Sequence, residues 1–253
     1  MSDDKNIKLS IPGEWALEKA LGPTLEAIGV DFVKLYNSSK IGVSKIAIAT
    51  KNKLGKSPAK NQKTNLRVTR DVFWNGAFSE EDICAEYFGG VLAGSRSSDG
   101  KSDSGIFYLD LIKSLSSNQL RLHYFIYLSL NRHLVGDPSF KNLNVAVSEE
   151  IQGKPVFFIT QELISMGIDI GVDLLALYSK GLINIFSYNT EEHPDKHHLT
   201  KVTPTTLGVQ LFAVAANMLP KFREFVKIEF TNFNYSEPIP KTALSALELI
   251  PTK

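Results

Sequence analysis

Apolar residues recur at helical spacing through most of the first half of the chain. Residues 14–36 carry them at intervals of three and four, which predicts a helix or a broken pair of helices. Further helices are predicted over residues 79–93 and 106–115, the first of which begins with an acidic cluster suited to a helix N-terminus. Residues 119–133 are hydrophobic on nearly every side, so this helix is predicted to lie at the centre of the core.

The pattern changes over residues 155–216, where short apolar runs alternate with short helical segments. The predicted order is a strand at 156–159, helices at 161–166 and 172–179, strands at 182–186 and 199–202 around a polar tip at 189–198, and a helix opening at 203–212. This order resembles the winged-helix family, in which a helix leads into Gly-Leu-Ile, here Gly181-Leu182-Ile183, and a wing follows. The resemblance covers about sixty residues.

Together these patterns predict a mostly α protein with a small β content, an α+β fold. We expect a helical domain at 11–136 that contains a basic segment at 40–70. A winged-helix-like domain follows at 150–230, and an extended tail occupies 231–253.

Composition limits the classes of protein to which the chain can belong. Of 253 residues, 43% are hydrophobic and 22% are charged, which is enough apolar surface for a packed core. The net charge of +1 gives no overall field that would recruit nucleic acid or membrane. The single cysteine, Cys84, excludes an intrachain disulfide, and its apolar, acidic neighbourhood predicts a buried and unreactive thiol. No apolar leader or membrane span is evident, so the expected location is cytoplasmic.

Charge is unevenly distributed, however. Residues 40–70 hold nine Lys or Arg and no Asp or Glu, which makes the segment a candidate for contact with anions or nucleic acid. The alternative is a solvated linker whose charge is balanced by acids elsewhere, and the absence of aromatics gives no support for stacking on single strands. The candidate contact residues are Lys45, Lys51, Lys53, Lys56, Lys60, Lys63, Arg67 and Arg70.

The winged-helix-like region has the opposite charge. Residues 160–217 carry three Lys and six acidic residues, and the candidate recognition segment at 168–178 is acidic and apolar. Such a segment would be repelled by a polyanion. A protein is therefore the expected partner, with nucleic-acid binding through residues 40–70 as the alternative.

Candidate catalytic and metal-binding residues are few. His193, His197 and His198 lie close together and could bind zinc or copper, although a polar loop tip explains them equally well. No nucleophilic triad can be assembled, and His123 and His133 are expected to pack within or at the end of an apolar helix. We therefore expect no enzyme activity, no cofactor and no metal.

Three segments resemble the bacterial Abi-alpha (abortive infection alpha) family. They are WNGAFSEEDICAEYFGGVLA at 74–93, LSSNQLRLHY at 115–124 and LGPTL at 21–25, and the resemblance extends over about residues 15–215. It implies a packed helical fold and, through the family's name, a context of phage defence, but no catalytic residues. The expectation is a non-enzymatic interaction or regulatory protein in bacterial phage defence that acts through protein contacts.

Overall fold

Helices, a four-stranded antiparallel sheet and a two-stranded antiparallel ribbon make up the regular structure of the described residues, which confirms the predicted α+β class. The computed structural model describes residues 38–55, 62–79, 81–188 and 198–249. The helix predicted over 14–36, the linker with Lys56 and Lys60, and the polar tip with His193 and His197 lie outside the described residues.

The first half is helical, as expected. In order, its elements are α1 (Lys40–Leu54), β1 (Lys63–Thr64), α2 (Leu66–Gly76), α3 (Asp82–Gly94), β2 (Arg96–Ser97), α4 (Ile106–Lys113) and α5 (Ser117–Gly136). Strands β1 and β2 form a short antiparallel ribbon that was not predicted.

Between residues 156 and 215 the second half follows the predicted element order. It contains α6 (Ser148–Gln152), β3 (Val156–Ile159), α7 (Thr160–Ser165), α8 (Ile170–Ser179), β4 (Ile183–Tyr188), β5 (Leu199–Pro204), α9 (Thr206–Ala215) and β6 (Thr242–Ala243), with 3₁₀ turns at Pro138–Phe140, Leu219–Glu224 and Ala246–Glu248. The strands pair antiparallel in the order β4-β5-β3-β6, with a bulge between Ile183 and Phe186.

Helix α5 lies at the centre of the core, as its all-round hydrophobicity predicts. Its start is defined by a capping box, in which the Ser116 hydroxyl accepts from the Gln119 amide and the Gln119 side chain accepts from the Ser116 amide. From Leu120 to Asn131 nearly every side chain is buried.

Helix α3 brings the two halves together by close backbone approach. A Cβ on Gly89 would lie 2.8 Å from Ala49 in α1, and one on Gly90 would lie 2.4 Å from the Ala215 carbonyl oxygen in α9. Buried residues from Val43 to Phe230 consequently form one continuous hydrophobic core that includes both predicted domains.

The described part of the predicted tail, residues 231–249, packs on this core. Phe233, Tyr235 and Ile239 rest against it, and β6 joins the edge of the sheet beside β3. Just before the tail, the Asn131 amide group on α5 donates to the Ile228 carbonyl at 3.0 Å and accepts from the Phe230 amide at 2.8 Å. Buried hydrogen bonds therefore anchor the chain where the tail begins.

Candidate functional site

Lys53, one of the candidate anion contacts, is not at the surface. Its side chain is only 1% exposed and forms an ion pair with Glu86 of α3, which is 5% exposed. The Lys53 ammonium also donates to the Asn232 carbonyl at 2.7 Å and lies 4.6 Å from the centre of the Phe233 ring. Burial lowers the pKa of Lys53, and the Glu86 carboxylate opposes that shift. The prediction that Lys53 contacts an external anion is therefore wrong. The Lys53 ammonium instead links α1 to Glu86 of α3 and to Asn232 of the tail.

The other candidate basic residues that the structure describes are spread over α1, β1 and α2. Lys45 forms an ion pair with Asp82 at 2.8 Å, and Arg70 forms one with its neighbour Asp71 at 3.3 Å. The remaining described candidates lie nearer the surface: Lys51 is half-buried, whereas Lys63 and Arg67 are exposed. Acidic side chains thus pair with Lys45, Lys53 and Arg70, which reduces the charge that the segment can present to a polyanion.

A buried polar contact lies at the junction of α3, α5 and α9. Tyr87 Oη and His123 Nδ1 are 2.5 Å apart, and both side chains are fully buried. The opposite nitrogen, His123 Nε2, has no well-aligned hydrogen-bond partner among the described residues, although the backbone of Gly208 lies close enough to affect the ring. Burial lowers the pKa of His123 to about 3, so the imidazole is neutral at physiological pH. His123 is thus the core histidine that its apolar helix predicted.

This buried histidine makes the stability of the fold depend on pH. Unfolding returns the His123 pKa from about 3 to its ordinary value near 6.5, so the unfolded chain binds the additional proton. We expect His123 to lower the free energy of unfolding by about 2 kcal/mol between pH 7 and pH 5. Urea unfolding across this range measures the slope. In His123→Phe the slope should flatten, whatever the overall stability; an unchanged slope would contradict the assignment.

Helix α8 is positioned by its first turn. The Asp169 carboxylate accepts from the Val172 amide at 3.1 Å, and the Asp173 carboxylate accepts from the Asp169 amide at 3.0 Å. The helix ends before Gly181, whose φ of +68° suits glycine. One side of α8, with Ile170, Leu174 and Leu177, is buried in the core.

The opposite side of α8 is apolar too, but it faces outward. Val172 is 59% exposed, Leu175 57% and Tyr178 50%. The surface continues onto β4, where the Phe186 ring lies 6.1 Å from the Tyr178 ring and stacks on Tyr188 at 6.3 Å between ring centres. We call these five residues the α8 face.

The α8 face carries no charge. Asp173 is the one charged residue between Ile170 and Ser179, and it is buried. Charges appear only at the two ends of the helix, as the exposed Asp169 and Lys180. A contiguous exposed apolar surface with aromatic members is typical of contact with another protein.

Other kinds of site find less support. Cys84 is buried, as predicted, and burial raises the pKa of its thiol, which disfavours the reactive thiolate. Across the described ranges, no three His, Cys, Asp or Glu side chains come together as a metal site requires. Of the three clustered histidines, only His198 is described; it precedes β5, and its carbonyl accepts from the Thr160 amide at 2.8 Å. Within those same ranges no helix has the length and apolar character needed to cross a bilayer.

Comparison with protein-family models, with curated proteins and with solved structures gives no match for this chain.

Proposed function

We propose that this chain is a non-enzymatic interaction protein that binds another polypeptide through the α8 face. The observation that carries the proposal is the uncharged, apolar outer side of α8, which continues onto the aromatic residues of β4. Leaving Val172, Leu175 and Tyr178 in water is unfavourable, and covering them with another protein removes that apolar surface from solvent.

The resemblance to the winged-helix family bears on the kind of partner that the α8 face binds. The sequence β3, α7, α8, β4, β5 follows the order of that pattern, and α8 takes the place of the helix that enters the major groove in DNA-reading members. A groove-reading helix needs Lys or Arg to neutralise phosphates. The outward side of α8 has Val172, Leu175 and Tyr178 instead, which favours a protein as its partner.

The context that we propose is bacterial phage defence, by resemblance to the Abi-alpha family. The segment that carries most of that resemblance, residues 74–93, includes α3, whose side chains are core residues. It therefore supports a shared fold and context, whereas the α8 face supplies the contact.

Leu175→Glu tests the proposal in cells. A charge at the centre of the α8 face should abolish partner binding, since desolvating an unpaired carboxylate is costly. In a strain that the wild-type chain protects, we expect phage plating to rise to within about tenfold of a strain without the protein. The matched control is Phe107→Glu, because Phe107 is an equally exposed apolar residue on α4. Full protection by Leu175→Glu, at equal protein level, would contradict the proposal.

Binding to duplex DNA tests the competing interpretation. We expect no rise in fluorescence anisotropy of a labelled duplex at about 50 mM salt, because Lys45, Lys53 and Arg70 are already paired with acids. Salt-dependent binding at micromolar protein that disappears in Lys63→Glu/Arg67→Glu would instead support a nucleic-acid function.

A further inference from the structure

We infer that the partner on the α8 face is a second copy of this chain, with the two α8 helices packed antiparallel about a twofold axis. The inference rests on the proposed function, because it names the polypeptide that the face binds. A twofold interface places the same surface on both sides, so the surface must be complementary to itself. The uncharged α8 face meets that condition, since no like charges oppose each other across Val172, Leu175 and Tyr178.

The charges at the helix ends select the antiparallel arrangement. Asp169 precedes the first turn of α8 and Lys180 follows its last residue, and both are exposed. Antiparallel pairing brings Asp169 of each copy towards Lys180 of the other, at both ends of the contact. Parallel pairing would instead place the two Asp169 carboxylates together, which is unfavourable.

The spacing along the helix places Leu175 at the centre of this contact. Asp169 and Lys180 are separated by about 16 Å along the axis, at a rise of about 1.5 Å per residue. Leu175 lies midway between them and is among the most exposed side chains of α8. Each Leu175 would therefore pack beside the axis, against the α8 face of the other copy.

The aromatic residues of β4 extend the contact beyond the two helices. Phe186 and Tyr188 stack on each other beside Tyr178, so their rings extend the apolar surface along one side of α8. Tyrosine and phenylalanine are enriched in protein interfaces because they bury a large area at a small entropic cost. The second copy can therefore pack against Phe186 and Tyr188 of β4 as well as against α8.

Sedimentation equilibrium of the purified full-length chain tests the inference. We expect the wild type to show twice the mass of the 28.0 kDa chain at micromolar concentration. Leu175→Glu should weaken the dimer at least about 30-fold, as loss of a central apolar contact does. Phe107→Glu, on α4, should leave it unchanged. Circular dichroism should be the same for all three proteins, because Leu175 and Phe107 are both surface residues.

A charge exchange tests the antiparallel pairing itself. Lys180→Glu should weaken the dimer about tenfold, because it places a carboxylate against Asp169 of the other copy. Adding Asp169→Asn should recover most of that loss, and asparagine still caps α8. Absence of recovery would contradict the antiparallel arrangement.

Two other results would overturn self-pairing. One is a wild-type chain that stays monomeric at about 100 μM. The other is a dimer whose strength Leu175→Glu does not alter. In either case, loss of phage protection in Leu175→Glu would still support the proposed function. The partner on the α8 face would then be a different polypeptide.

Discussion

Gly208→Ala is expected to lower the free energy of unfolding by at least about 3 kcal/mol. Gly208 lies in the first turn of α9, where the helix approaches α5 closely. A Cβ at this position would lie 1.9 Å from Tyr127 Oη and 2.4 Å from the Leu182 carbonyl oxygen. The Tyr127 hydroxyl donates to that same carbonyl and accepts from the Thr205 amide at 3.0 Å, so it cannot move without breaking buried hydrogen bonds.

Gly136→Ala is the matched control for this substitution. Gly136 ends α5, and a Cβ there would meet no atom of the described residues within 4 Å. Because alanine favours helix, this variant should be unchanged or slightly more stable. Urea unfolding at pH 7 measures both. A loss below about 1 kcal/mol in Gly208→Ala would contradict the packing of α9 on α5.

Lys53→Met is expected to lower the free energy of unfolding by about 3 to 5 kcal/mol. The substitution leaves the Glu86 carboxylate buried without its cation and leaves the Asn232 carbonyl without its donor. The double substitution Lys53→Met/Glu86→Leu removes both charges, so it should recover most of the loss. Such recovery is the signature of a buried ion pair, and additive losses in the double variant would contradict one.

Lys45→Met provides the comparison at the surface. Lys45 belongs to the same basic segment, but its partner Asp82 is 63% exposed at the side chain. We expect a change within about 1 kcal/mol, because water screens an exposed pair. Equal losses of stability in Lys45→Met and Lys53→Met would contradict the difference in burial between the two ion pairs.

The central helix and the order of elements could be predicted from the sequence because each depends on local signals. Helix α5 is apolar on nearly every side and follows Ser116, so both its start and its burial could be anticipated. The α7–α8–β4 order follows from short apolar runs separated by Gly167 and Gly181, which have positive φ.

The burial of Lys53 could not be predicted from its own neighbourhood. It lies among other lysines, and a run of like charges normally faces solvent. A usable signal was nevertheless present in α3. Glu86 is the one charged residue between Ile83 and Ala93, and a lone acid in an apolar helix requires a buried partner. Only the tertiary contact between α1 and α3 identifies Lys53 as that partner.

The exposure of the outward side of α8 could not be predicted from the sequence, for a different reason. Ile170, Leu174 and Leu177 on one side are no more apolar than Val172 and Leu175 on the other, so periodicity cannot show which side the core covers. The Tyr178 contact with Phe186 depends on how α8 packs on β4, which no local pattern specifies.

The most direct test of the central claim is photo-cross-linking in cells, with a benzophenone amino acid in place of Leu175. We predict an adduct of twice the chain mass that yields peptides of this chain alone. The same group in place of Phe107 should give no such adduct. An adduct with another polypeptide at position 175 would overturn self-pairing and keep the interaction function. No polypeptide adduct, or an adduct with nucleic acid, would contradict the account as a whole.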